Sequence, residues 1–204
     1  HSAIGGLNSF YRQRGRTYDV GLHAVTNYAP QGTRSGPLAR LLRQLRITWD
    51  QWALAPQLGS AIIFPQAILR FSNDFDLLES EVRWRFPRQI DNFRRLTASL
   101  HDYDQFGQSG ANRSAREVVA GIIDEPLLVE MIFCPILFYG GSREHDIDFD
   151  QFSILFRSIF LEGLARPLTG IQLILKMLIR RFKELGGELR LRAAVEKIAV
   201  KQGA

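Results

Sequence analysis

A single cysteine, Cys134, in 204 residues leaves no room for a disulfide framework or a paired-cysteine metal site and suits a reduced, cytoplasmic compartment. Long apolar runs are scarce as well. Glu130 interrupts the stretch 126–139, and Lys176 and Arg180 punctuate the last helical stretch, so nothing approaches the roughly 18 apolar residues of a spanning helix. No basic leader followed by an apolar segment opens the chain. Also missing are a G-x-S-x-G elbow, an H-E-x-x-H helix and the ligand spacing of a calcium loop, which removes the commonest nucleophilic and metal-assisted chemistries.

What is present is ordinary for a folded domain: 46% apolar and 23% charged residues. The formal net charge is +5 and the pI about 9.7, which raises polyanions as partners. The arrangement of the arginines argues against nucleic acid. They alternate with leucines at helical spacing in LARLLRQLRI (38–47) or mix with carboxylates in ESEVRWRFPRQIDNFRR (79–95), as on solvated helix faces with ion pairs. A basic face beside apolar helices would instead suit peripheral docking on an anionic bilayer.

Local signals place most elements. Pro37 after Gly36 starts a helix whose stripe is Leu38, Leu41, Leu42 and Leu45 and whose pattern ends at Thr48. Segments 61–64 and 67–71, around Pro65 and Gln66, read as a hairpin. Helices are expected over 75–85, over 87–103 and from Ser114, where Glu117 completes a capping box. The loop GQSGAN (107–112) is a boundary or a lid. Helices over 125–139 and 149–164, joined by Gly140 and Gly141, are apolar nearly all round, as in a buried layer or, alternatively, the lining of an apolar tunnel. Pro135 should bend or split the first of them. The last helix carries a capping box at Thr169 and Gln172, an apolar stripe from Ile171 to Leu185, and a stop at Gly186 and Gly187. Two strands, 188–192 and 194–200, should follow.

Candidate site residues concentrate near the start. Gly5 and Gly6 lack the side chains that hold a backbone away from a ligand, although local pattern alone reads them as a tight turn leading into a hairpin. The segment 18–21 (YDVG) reads as a short strand ending at Gly21, with His23 just beyond it; a histidine there either faces a substrate or is simply hydrogen-bonded structure. His145, Asp146, Asp148 and Asp150 form a local cluster read as a solvated cap of the following helix rather than a metal site, and His101, Asp102 and Asp104 as a helix end. Cys134 shows no local sign of activation.

Taken in order, these features are similar to a known family. The glycine-pair segment 1–9, the aromatic-Asp-x-Gly step within 16–23, and the helix, Gly-Gly and V-x-x-I pattern of 167–200 resemble the phytoene desaturase, carotenoid isomerase and retinol saturase group of FAD-dependent oxidoreductases, within the amine-oxidase-like flavoprotein superfamily. The resemblance covers both ends of the chain and only the general character of the middle. It implies an α/β (α+β) flavoprotein fragment: a partial FAD-binding segment at 1–36, a mainly helical substrate-side insertion at 37–166 with its hairpin, and a return to the FAD-binding domain at 167–204. It also implies FAD contacts at Gly5, Gly6, Ser9, Asp19, Gly21 and Val195, with Ile198 as the second position of V-x-x-I and His23 as the one ionisable candidate near the flavin. The substrate it implies is an apolar small molecule, isoprenoid or polyene, undergoing desaturation, saturation or isomerisation.

Two departures stand out. Leu7 occupies the position after the glycine pair where the family carries an arginine, and no G-x-G-x-x-G occurs, so the chain is expected to be an internal piece of a longer enzyme and inactive by itself. The reading from another class is a non-catalytic helical module that binds a lipid or a protein, with a purely structural glycine turn.

Overall fold

The computed structural model describes residues 4–21, 24–103, 113–139 and 144–200. The chain divides into two units, one made of Val25–Trp49 and Ala55–Ala165, the other of His1–Ala24, Asp50–Leu54 and Arg166–Ala204. His23, the loop 107–112 and the glycines at 140–141 lie outside the described residues.

The first of these units is mainly helical. α1 (Pro37–Leu45) starts on Pro37 and buries Leu38, Ala39 and Leu42; Arg46, left-handed at φ 53°, ends it before Thr48. Then the period changes to two. β4 (Ser60–Ile63) and β5 (Ile68–Phe71) pair antiparallel, with Ser60 opposite Phe71 and Ile63 opposite Ile68. Ile62, Leu69 and Phe71 point into the core while Ile63 is exposed.

α3 (Phe75–Arg85) begins at Asp74, whose carboxylate accepts from the Asp76 N–H at 3.1 Å, and ends before Pro87, where the residue ahead of a proline is pushed out of the helical region. A 3₁₀ turn (Pro87–Gln89) leads into α4 (Ile90–His101), which buries Phe93, Leu96, Thr97 and Leu100. α5 (Ala115–Ala120) is capped by Ser114, which accepts from the Glu117 N–H at 3.0 Å. Its counterpart bond from Glu117, which would complete the box, is not part of this cap.

α6 (Pro126–Tyr139) and α7 (Phe149–Phe156) supply the centre of the core. α6 runs through Pro135 instead of splitting there. Proline removes one N–H and crowds the preceding turn, but Met131, Ile132, Phe133 and Ile136 are buried on both sides of it, and that packing holds the helix in one piece. α7 ends earlier than expected and passes into a π turn (Arg157–Leu161) that buries Ile159 and Phe160. Rings of Phe133, Phe149, Phe152, Phe156 and Phe160 stack or tilt against one another with centroids 4.9 to 6.0 Å apart. The inward faces of α6 and α7 are therefore filled by side chains, the buried-layer reading, and not by a tunnel. Each such buried phenylalanine contributes roughly 1.5–3 kcal/mol.

Asn73 ties this unit across a long sequence separation. Its amide accepts from the Leu164 N–H at 2.8 Å and donates to the Leu164 carbonyl at 2.9 Å, imitating a strand neighbour. Val25 and Ala165 exchange a second pair of backbone bonds, 2.7 and 2.9 Å.

In the other unit, the glycine pair enters a 3₁₀ turn (Gly6–Asn8) and then a hairpin of β1 (Phe10–Gln13) and β2 (Arg16–Asp19). Arg14 and Gly15 make its two-residue loop, both with positive φ (51° and 77°), the geometry that matches strand twist. Tyr11 and Tyr18 stack across it at 5.3 Å. α8 (Gln172–Glu184) stops at Gly186, left-handed at φ 84°. A Cβ on Gly187 would lie 2.4 Å from the Phe182 ring, so the turn closes directly on the helix it ends.

The two strands expected after that helix are not formed: 188–200 has no strand, and Val195, Ile198 and Val200 are 78%, 81% and 82% exposed. Alternation of apolar residues makes a strand only where another strand edge supplies hydrogen bonds, and no described strand lies alongside this segment. Two further short strands, β3 (Leu54–Pro56) and β6 (Ala165–Pro167), lie where the chain passes from one unit to the other.

Candidate functional site

The glycine pair is held in a conformation that other residues rarely adopt. Gly5 has φ 125° and Gly6 φ 51°, and the turn closes with the Asn8 N–H donating to the Gly5 carbonyl at 2.7 Å. The two glycines differ in their surroundings. A Cβ on Gly5 would come within 2.9 Å of both the Asn8 carbonyl oxygen and Leu175 Cδ1, whereas one on Gly6 would meet nothing within 4 Å. Gly5 is thus required by the protein's own packing, and Gly6 presents bare backbone to open space. Ser9 follows half-buried, and its carbonyl accepts from the Val20 N–H at 3.0 Å, extending the hairpin ladder.

Asp19 ends β2 with a side chain only 6% exposed. Its carboxylate accepts from Arg166 Nη2 at 2.8 Å and from the Ile171 N–H at 3.4 Å. A buried carboxylate needs such partners, because an unpaired one would lose its hydration without compensation. Gly170, at φ 86°, makes the approach feasible, since a Cβ there would lie 2.9 Å from Asp19 Oδ2. Gly21 sits two residues on, in an exposed bend.

One more contact joins the glycine turn to α8: Gln172 Nε2 donates to the Asn8 carbonyl at 2.9 Å. The capping box expected from Thr169 and Gln172 is not formed. Ile171 occupies the cap position with no side-chain hydrogen bond, and Gln172 reaches Asn8 instead. The segment 166–175 therefore touches both ends of 5–19. No local sequence signal marked these contacts of Arg166, Gly170 and Leu175, the last of which reads only as part of the helix's apolar stripe, because their partners lie more than 140 residues away in the chain.

Of the predicted site residues, Gly5 and Asp19 meet the start of α8, and Gly6 and Ser9 lie in the turn between them in sequence. Val195 does not join them as part of a strand; it is exposed in 188–200. His23 lies outside the described residues.

The acidic cluster is structural. Asp148 caps α7 through the Asp150 N–H at 2.9 Å, and Asp146 accepts from the Arg116 N–H at 3.1 Å. Asp150 takes a 2.5 Å hydrogen bond from the Tyr103 hydroxyl, which also accepts from Arg113. The bond to Asp150, with burial adding to it, raises the Tyr103 pKa above its usual value. His101 and Asp102 pair on the surface at 2.9 Å, and Cys134 is exposed. No group of three or more metal-ligating side chains occurs among the described residues. None of their helices is long and apolar enough to cross a membrane.

Among the described residues, two of the clefts on the helical unit stand out. The larger of the two, about 500 Å³, is lined by Arg85, Arg88, Asp124 and Glu125. The smaller, about 290 Å³, lies over Ile123, Pro126 and Val129 beside Arg116 and Glu130.

A glycine turn bare at Gly6 thus leads into a hairpin that is pinned to a later helix. The model of the flavin containing amine oxidoreductase family matches residues 2–204. The chain belongs to that family, whose cofactor is FAD. No curated protein matches the chain. Family membership indicates a flavin-dependent oxidoreductase and does not favour the non-catalytic module.

Proposed function

We propose that the chain is part of an FAD-dependent oxidoreductase of the phytoene desaturase-like group, acting on an apolar isoprenoid or polyene by desaturation, saturation or isomerisation. The observation that carries this reading is the meeting of 5–19 with 166–175 in one unit, although the mainly helical unit separates them in the sequence. That is the order in which the resembling family places its cofactor segments and its substrate-side insertion.

The residues present fit FAD at the glycine turn. Gly6 offers backbone that a phosphate or the ribityl chain can approach, because no side chain stands in the way, and Ser9 follows three residues on in the chain. Asp19 does not suit direct contact with an anionic group. Its carboxylate is engaged with Arg166 and Ile171, so in this reading it shapes the cradle, with Gly21 beside it. Val195 would border the adenine once 188–200 is ordered as a strand. When bound, FAD supplies two-electron redox chemistry, and the protein positions the substrate and excludes water. The net positive charge suits docking on an anionic bilayer from which an apolar substrate would be drawn.

The test is anaerobic mixing of the flavin-loaded protein with a panel of polyenes, isoprenoid alcohols and primary amines, following the visible absorption of the flavin. Bleaching by a polyene or isoprenoid and not by amines is the expected result. Bleaching by amines alone would place the chain elsewhere in its family.

A further inference from the structure

The glycine turn has little to hold it from within. Two consecutive glycines with positive φ carry a large conformational entropy, and the one closing bond described in the turn is from the Asn8 N–H to the Gly5 carbonyl. Among the described residues, α8 adds two restraints: Gln172 holds the Asn8 carbonyl at 2.9 Å, and Leu175 fills the space that a Gly5 side chain would take. The end of the hairpin is fixed from the same segment, by Arg166 and the Ile171 N–H on Asp19. So the stretch 166–175 sets the distance between the bare backbone of Gly6 and the carboxylate of Asp19.

Charge adds a second requirement. A carboxylate 6% exposed near a site for phosphate groups would repel them, and Arg166 at 2.8 Å cancels its field. We infer that Gln172 and Arg166 are cofactor-positioning residues, Gln172 by fixing the glycine turn and Arg166 by neutralising Asp19, without either touching the cofactor. This inference rests on the reading of Gly5 and Gly6 as the flavin cradle.

The experiment compares the full protein with Gln172→Leu, Arg166→Met and Arg166→Lys, measuring the FAD dissociation constant and the visible circular dichroism of the bound flavin. Far-ultraviolet circular dichroism of the apoproteins reports folding separately. Losing one neutral hydrogen bond should weaken FAD binding about threefold to tenfold in Gln172→Leu, and losing a charged one by tenfold or more in Arg166→Met. Arg166→Lys, which keeps the charge, should recover most of the affinity. Both disrupted variants should also change the visible dichroism, which a purely structural loss at a remote point would not do.

Failure of the unmodified protein to take up FAD would overturn the cradle reading itself. If it binds FAD and both Gln172→Leu and Arg166→Met keep its affinity and dichroism, the cradle stands and the positioning role is overturned. Should Arg166→Met fail to fold, Gln172→Leu decides, since it removes one partly exposed amide and leaves the helix intact.

Discussion

Gly5 and Gly6 are adjacent and both have positive φ, yet they are glycines for different reasons. At Gly5 a side chain would collide with the Asn8 carbonyl and Leu175, and at Gly6 only the backbone angle is strained. Replacing Gly5 with alanine should therefore destabilise the protein by about 2–4 kcal/mol, and the same change at Gly6 by about 1–2 kcal/mol, as measured by urea unfolding. Equal losses at the two positions would contradict the packing described. The sequence marks the pair but not this asymmetry, because Leu175 is 170 positions away. Asp19 was likewise marked in the sequence as a candidate, while its partner Arg166 carried no sign of the pairing.

At the scale of elements, local chemistry was the better guide. Pro37, Ser114 with the Glu117 N–H, Pro87 after α3 and the Gly186 stop each act through neighbours within a few residues, and each sits where its chemistry predicts. The hairpin of β4 and β5 was legible for the same reason. What failed depends on distant partners: the strands over 188–200 need an edge to pair with, and Gln172 was drawn from its own helix cap to Asn8. β1 was visible only as the hairpin that a tight glycine turn would enter.

Helices α3 and α4 offer a test through pH. Glu79 accepts from Arg94 at 2.7 Å and from Arg83 at 2.8 Å, and the Arg94 hydrogen bond foremost holds its pKa below the usual 4.5. The unfolded chain therefore binds this proton at a higher pH than the folded one. The stabilisation is present above about pH 4.5 and is lost as pH falls through the lowered folded value. Glu79→Gln should make the acid limb of the stability curve shallower, by up to about one proton taken up on unfolding. Superimposable acid limbs for the two proteins would show that the pair adds nothing in solution.

For the whole molecule, the net charge is +5, and several arginines face carboxylates or rings, as in Arg94 with Glu79 and Arg113 over Phe149. The helical unit has a core of stacked phenylalanines, and the unit holding the glycine turn has a much smaller buried content, with Ile174 the one buried side chain of α8. Sequence patterning reveals a core of the first kind readily. It marks the glycine turn only through the glycines themselves, because the rest of that arrangement is backbone geometry and contacts between remote segments.

The most direct test of the account is the flavin content of the purified full protein, read from its visible absorption spectrum before and after heat release of the cofactor and after incubation with FAD. The account predicts a yellow protein that releases FAD at about one molecule per chain. A folded, colourless protein that takes up no FAD would contradict it.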